Sequence, residues 1–175
     1  MIDSALSSLG ATVVVATSSD ENHPPENITD GNTKTFWMST GMFPQEFIIR
    51  FAEPSKISTV TVDSYNDCAL KTIWCLYPAS VHGETKKVAW TEPHNTISAM
   101  ICLSVKHLKI EKNTSPNTSQ FEFVTEKEFE HTEGHLQSNA FLLNGSSANH
   151  LRFIISSGYD HFVSVHRISV QHLHT

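Results

Sequence analysis

Cysteine is scarce in this chain: Cys68, Cys75 and Cys102 are the only three in 175 residues, and all fall in one stretch. They form no Cys-x-x-Cys and lie too far apart for paired zinc knuckles, so neither a disulfide framework nor a thiolate zinc site is expected to organise the fold. Glycine is scarce too, at seven. There is no Gly-x-Ser-x-Gly elbow and no phosphate-cradling glycine loop, which argues against hydrolase and nucleotide-binding chemistry. Lys and Arg number 12 against 18 Asp and Glu, a formal net charge of −6, and no basic run interleaves with aromatics. Nucleic acid and anionic membrane surfaces are therefore not expected as partners. No apolar run is long enough to span a bilayer, and residues 1–19 lack a basic leader and a cleavage site. An intracellular protein without membrane insertion is the expectation. In that setting the Asn-x-Ser/Thr triplets starting at Asn27, Asn113, Asn117 and Asn144 have no role as glycosylation sites.

What the chain does contain is strand pattern. Its 39% hydrophobic and 17% charged content suits a globular protein. A length of 175 residues suits one domain spanning 1–175 with a full core. Helical periodicity is nowhere sustained. Strands are predicted at about 12–16, 45–51, 57–64, 105–111, 121–132, 135–142, 151–156 and 162–171. Alternation is clearest in Ile57-Ser-Thr-Val60-Thr-Val62, and in residues 162–170, where one slip predicts a bulge. Short strands at this spacing predict an all-β sandwich, with a jelly roll as its topology.

Residues 66–104 stand apart. They hold all three cysteines and two of the three tryptophans, Trp74 and Trp90, with no repeat and no heptad. The block reads as an irregular insertion at a strand junction, of the kind a translated intron or alternative exon produces; an acquired regulatory loop is the rival reading. Surface loops tolerate such length at modest entropic cost.

The stretch from 16 to 51 is the most specific part of the chain. A long polar loop rich in turn formers (Ser18, Ser19, Asp20, Asn22, Pro24, Pro25) leads into Asn27, Asp30, Gly31, Asn32 and Thr35, then Phe36-Trp37 and a strand. Asn27, Asp30, Asn32 and Thr35 bring four oxygen-bearing side chains close together, and Gly31 permits a reversal that lets oxygens converge. A hard cation needs such a cage, since Ca²⁺ takes roughly 6–8 oxygens. It is not an EF-hand: counting Asp30 as the first position, the sixth is Thr35 and the twelfth is Gly41. On spacing alone, Asp30-Gly31 reads first as a surface turn, with Asn27 and Thr35 bonding their own backbone.

Ala16-Thr-Ser-Ser19, His23-Pro-Pro-Glu-Asn27, Thr29-Asp-Gly-Asn32, Thr35-Phe-Trp37 and Gly41-Met-Phe-Pro-Gln-Glu-Phe-Ile-Ile49 occur in an order that resembles the opening of a discoidin-like, galactose-binding-type β-sandwich. More closely, they resemble the branch of that family that serves intraflagellar transport. The likeness resumes at 108–112, 131–134, 151–155, 160–162 and 164–166, and covers most of the chain apart from the block at 66–104. It implies a jelly-roll module that pairs with a Rab-like small GTPase, intraflagellar transport protein 27, inside the B-type complex that moves cargo along cilia. It also implies one structural Ca²⁺, carried onto Asn27, Asp30 and Thr35. In the family, Ser64-Tyr65 runs almost directly into Val105, so removing the block leaves a chain of the usual size.

The eleven histidines support no catalytic or zinc site. His131 and His135 have i, i+4 spacing but lack the His-Glu-x-x-His pattern, and Gly134 places them at a turn between strands. His172 and His174 alternate onto one face of a terminal strand. Asp160 and His161 are adjacent, so on a strand their side chains leave from opposite faces. Trp37 reads as core rather than as a sugar-stacking platform, because Phe36 and an apolar strand flank it. Two rivals remain beside a non-enzymatic interaction subunit. One is a carbohydrate- or phospholipid-binding discoidin domain. The other is a small heat-shock chaperone, suggested by that branch's alternative designation and by the triplet Ile168-Ser-Val170.

Overall fold

Among the described residues, ten strands arise where the chain alternates apolar and polar residues or carries β-branched runs. The computed structural model describes residues 3–66, 68–72, 98–102, 104–115, 120–131 and 135–172. The strands are β1 (Thr12–Ala16), β2 (Trp37–Met38), β3 (Gln45–Asn66), β4 (Cys68–Thr72), β5 (Ser98–Cys102), β6 (Val105–Asn113), β7 (Glu122–Glu128), β8 (His135–Gly158), β9 (Ser164–Val165) and β10 (Arg167–His172). Among the described residues there is no α-helix, only two 3-10 turns at Ser7–Leu9 and Pro25–Ile28.

The architecture is organised by two long strands. Residues 47–50 of β3 lie between β1 and the second half of β8, while residues 57–63 of β3 lie between β10 and the first half of β8. The β3–β8 register slips between Arg50 and Ser55 and again between Ile57 and Thr59. Slips of this kind bend a strand and increase its twist. The ribbon thus turns from one layer of the jelly roll into the other. β6 pairs with the second half of β8, and β7 pairs with β6. All of these pairings are antiparallel.

Two pairs of predicted strands therefore fuse. Segments 45–51 and 57–64 form the single β3, with Pro54 at its register slip, where a missing N–H is tolerated. Segments 135–142 and 151–156 form β8, which passes through Asn144 at φ +50° and Gly145 at φ +77°. The segment expected at 162–171 divides into β9 and β10 at His166, where the alternation slips.

The inward residues of both layers form one core. Phe47, Ile49, Leu108, Ile110, Leu151, Phe153 and Ile155 meet Val60, Val62, Phe141, Ile168 and Val170. Phe47 stacks on its cross-strand partner Phe153 at 4.8 Å, and Trp37 packs edge-on against Phe47 at 5.3 Å. Trp37 is fully buried, as its flanking residues predict. Ile168 and Val170 are buried opposite Val62 and Val60, so the Ile-x-Val triplet is core and not an assembly motif.

The block at 66–104 is not irregular at its ends. β3 continues to Asn66, and β4 and β5 form a separate antiparallel pair running from Cys68 opposite Cys102 to Thr72 opposite Ser98. Among the described residues, these two strands pair with each other and with no strand of the main sheet. Trp74, Cys75 and Trp90 lie outside the described residues.

Candidate cation loop

Residues 17–44 join β1 to β3, and several points of this loop are bonded to residues far away in sequence. The Ser18 carbonyl accepts the indole N–H of buried Trp37 at 3.0 Å. The Ser18 hydroxyl donates to Gln45 Oε1 at 2.6 Å and accepts the N–H groups of Thr40 and Gly41 at 3.0 and 3.1 Å. Gln45, itself buried, also accepts from the Thr17 hydroxyl at 2.8 Å and donates to the Met42 carbonyl. The Asp20 N–H donates to the Met38 carbonyl, and the Met38 N–H to that of His23. β2 then pairs with β9, and Ser39 exchanges two hydrogen bonds of 3.0 Å with Val163. A buried polar group left without a partner costs about 1–3 kcal/mol, and this network answers the demand across the loop's base.

The oxygen-rich segment follows the 3-10 turn Pro25–Ile28. Asp30 Oδ1 accepts the Asn32 N–H at 2.7 Å, and Asn32 Oδ1 accepts the Lys34 N–H at 3.0 Å. The Thr35 hydroxyl donates to Asp30 Oδ2 at 2.6 Å and lies 2.8 Å from the Asn32 carbonyl. Gly31, at φ +80°, makes the reversal, and a Cβ there would come within 2.7 Å of Leu6 Cδ2. Asp30, Thr35 and the Asn32 carbonyl are thus gathered, while Asp30 and Asn32 each accept a backbone N–H two residues on, as the surface-turn reading expects. Asn27 is not part of that cluster's hydrogen bonding: its Nδ2 donates to the Phe36 carbonyl at 2.9 Å, which ties the start of the segment to its end. The gathered donors are all oxygen and include one exposed carboxylate, a set that fits a hard divalent cation such as Ca²⁺ and does not suit a thiophilic or imidazole-seeking metal. Among the described residues, no group of three or more His, Cys, Asp or Glu side chains forms an alternative centre.

An aromatic stack holds this segment against the sandwich. The Phe36 ring centroid lies 4.0 Å from that of His23 and 4.9 Å from that of His166. His166 Nδ1 pairs with the Thr33 carbonyl at 2.9 Å, and its backbone N–H donates to Asp63 in β3. No sequence spacing points to His166, which lies 133 residues from Thr33.

The remaining candidates separate. Asp160 and His161 sit in a turn after β8 rather than on a strand, so their side chains do meet, with Oδ1 and Nδ1 at 2.8 Å. That corrects the expectation of opposed faces. The His161 side chain is nevertheless 91% exposed, so the pair lines no enclosed site. His131 packs edge-on against Tyr159 at 4.8 Å, and His172 pairs with Ser4 and with the Lys56 carbonyl. His174 lies outside the described residues.

Known proteins share both sequence and fold with this chain. Residues 13–168 match the F5/8 type C domain. The chain is 42% identical over 170 residues to the intraflagellar transport protein 25 homolog of Homo sapiens, covering 97% of this chain and 92% of that protein. It is 32% identical to intraflagellar transport protein 25 of Chlamydomonas reinhardtii, covering 97% and 69%. In structure it is similar to the family 32 CBM from Clostridium perfringens NanJ in complex with galactose, with a TM-score of 0.65 at 15% identity, covering 97% and 98% of the two chains. At that identity the likeness shows the jelly-roll fold alone. The chain belongs to the F5/8 type C domain family and, within it, to the family of intraflagellar transport protein 25.

Proposed function

We propose that this chain is a non-catalytic subunit of the intraflagellar transport machinery in the cilium, where it forms a heterodimer with a Rab-like small GTPase, intraflagellar transport protein 27. The observation that carries this reading is 42% identity, over nearly the whole chain, to proteins named for intraflagellar transport. The architecture agrees with a presenting role: a doubly layered sandwich with a buried core offers a rigid surface, which reduces the ordering cost of association.

One Ca²⁺ completes the proposal. Asp30 supplies the charge and Thr35 a hydroxyl, with Asn27 bracing the loop's entry through Phe36 or turning its amide oxygen inward as a further ligand. The ion neutralises Asp30 and ties the loop's oxygens together; its role is structural. Reaction chemistry has no part in the mechanism.

Co-expression with the GTPase followed by size-exclusion chromatography tests the partner. The expected result is one peak containing both chains in equal amount. Separate elution of the two chains, with either guanine nucleotide bound, would overturn the assignment.

A further inference from the structure

We infer that His166 is the positioning residue of the cation loop, acting through the Thr33 carbonyl and the Phe36 ring and not as a ligand. The inference rests on the calcium reading of Asn27, Asp30 and Thr35. Thr33 stands between Asp30 and Thr35, so the atom that holds its carbonyl holds the middle of the segment that bears the ligands. That atom is His166 Nδ1, at 2.9 Å. Because a carbonyl only accepts, Nδ1 carries the hydrogen and the neutral imidazole suffices. The imidazole is itself held: His166 is buried, and its backbone N–H donates to the Asp63 carbonyl at 2.8 Å. Asp63 in turn accepts two contacts of 2.8 Å from Arg167, so the post stands on β3 and β10 together.

The ring contact fixes the other end of the segment. The Phe36 ring contacts both His23 and His166, and its carbonyl accepts from Asn27. One imidazole therefore reaches Thr33 directly and touches the Phe36 ring, and Thr35 lies between Thr33 and Phe36. Groups that orient metal ligands from behind commonly change affinity by about 10–100-fold when removed, because the loop must then be ordered at the expense of binding.

Two substitutions separate the donor from the ring. His166→Phe keeps a ring against Phe36 and removes the N–H; His166→Asn keeps an N–H near the position of Nδ1 and removes the ring. Calcium titration by calorimetry is expected to show affinity about tenfold weaker for His166→Phe and within about threefold of wild type for His166→Asn. In chelator, protease cleavage within residues 30–36 is expected to be faster for His166→Phe than for wild type. Phe36→Leu, which leaves His166 in place, is expected to weaken calcium binding as well and serves if His166→Phe does not fold. Unchanged affinity and unchanged cleavage in His166→Phe would overturn the inference, as would a loss in His166→Asn equal to that in His166→Phe. Failure of the wild type to bind calcium would instead contradict the calcium reading, and the cleavage comparison in chelator would still decide whether His166 holds the loop.

Discussion

Two long departures from the sandwich invite comparison: the loop at 17–44 and the block at 66–104. Both leave one strand and rejoin another, yet they are fastened in opposite ways. The first is bonded at several points to distant residues, through Trp37 to Ser18, Ser18 to Gln45, Ser39 to Val163 and His166 to Thr33. The second, where it is described, pairs with itself: β4 meets β5 and neither joins the main sheet. A loop acquires structural weight from contacts outside itself, and its length says little about that weight. We therefore propose that the first belongs to a single jelly-roll domain as an integral part, and that the second is an insertion the domain does without.

The largest effect expected from breaking this comparison is at Trp37. Trp37→Ala removes a fully buried indole that packs on Phe47 and bonds the Ser18 carbonyl. A loss of about 3–5 kcal/mol is expected, measured as the difference in urea unfolding free energy. An effect below about 1 kcal/mol would mean that the loop is as loosely attached as the block.

A smaller effect calibrates the framework between the two regions. His150 is buried opposite Arg50, its Nδ1 has no hydrogen-bond partner among the described residues, and burial first, then the Arg50 charge, lower its pKa from the ordinary 6.5. A histidine whose folded pKa is depressed takes up its proton in the unfolded chain first. Stability is therefore full above about pH 6.5 and falls as pH drops through that value. His150→Asn is expected to reduce the slope of unfolding free energy between pH 7.5 and 5.5, and to do so equally with or without the block. An unaltered slope would show that His150 accepts its proton in the folded state.

The smallest effect is expected at the block. Directly opposed residues in an antiparallel pair lie about 4.5–5.5 Å apart, so Cys68 and Cys102 can be joined by a two-residue hairpin turn. Replacing residues 69–101 by Asn-Gly is expected to change the urea unfolding free energy by less than about 1 kcal/mol and to leave the GTPase complex intact. A clear loss of either would make the block an integrated element.

Much of this contrast is legible in the sequence, for physical reasons that differ by region. β1 falls at 12–16 as predicted, and the alternation of Ile57, Val60 and Val62 marks the core face correctly. Pro54 and Asn144-Gly145 look like strand ends, but here they mark bends in strands that keep pairing on both sides, which only the partner strand can reveal. β2 is two residues long, too short for any period to register. The turn at Asp30, Gly31 and Asn32 is local and so could be read from spacing, whereas the ligand set is implied only by the family resemblance. His166 could not, since its partner lies across the fold, and the slip in alternation around it points to a bulge rather than to a loop anchor.

The most direct test of the account follows the thermal midpoint with and without calcium in three proteins: wild type, Asp30→Ala and the chain with residues 69–101 replaced. An ion that binds only the folded state adds about 2.7 kcal/mol at a hundredfold excess over its dissociation constant. The account predicts that calcium raises the midpoint of the wild type and of the block-replaced chain alike, and leaves Asp30→Ala unmoved. A midpoint that calcium does not raise in the wild type, or a response that survives in Asp30→Ala or disappears with the block, would contradict it.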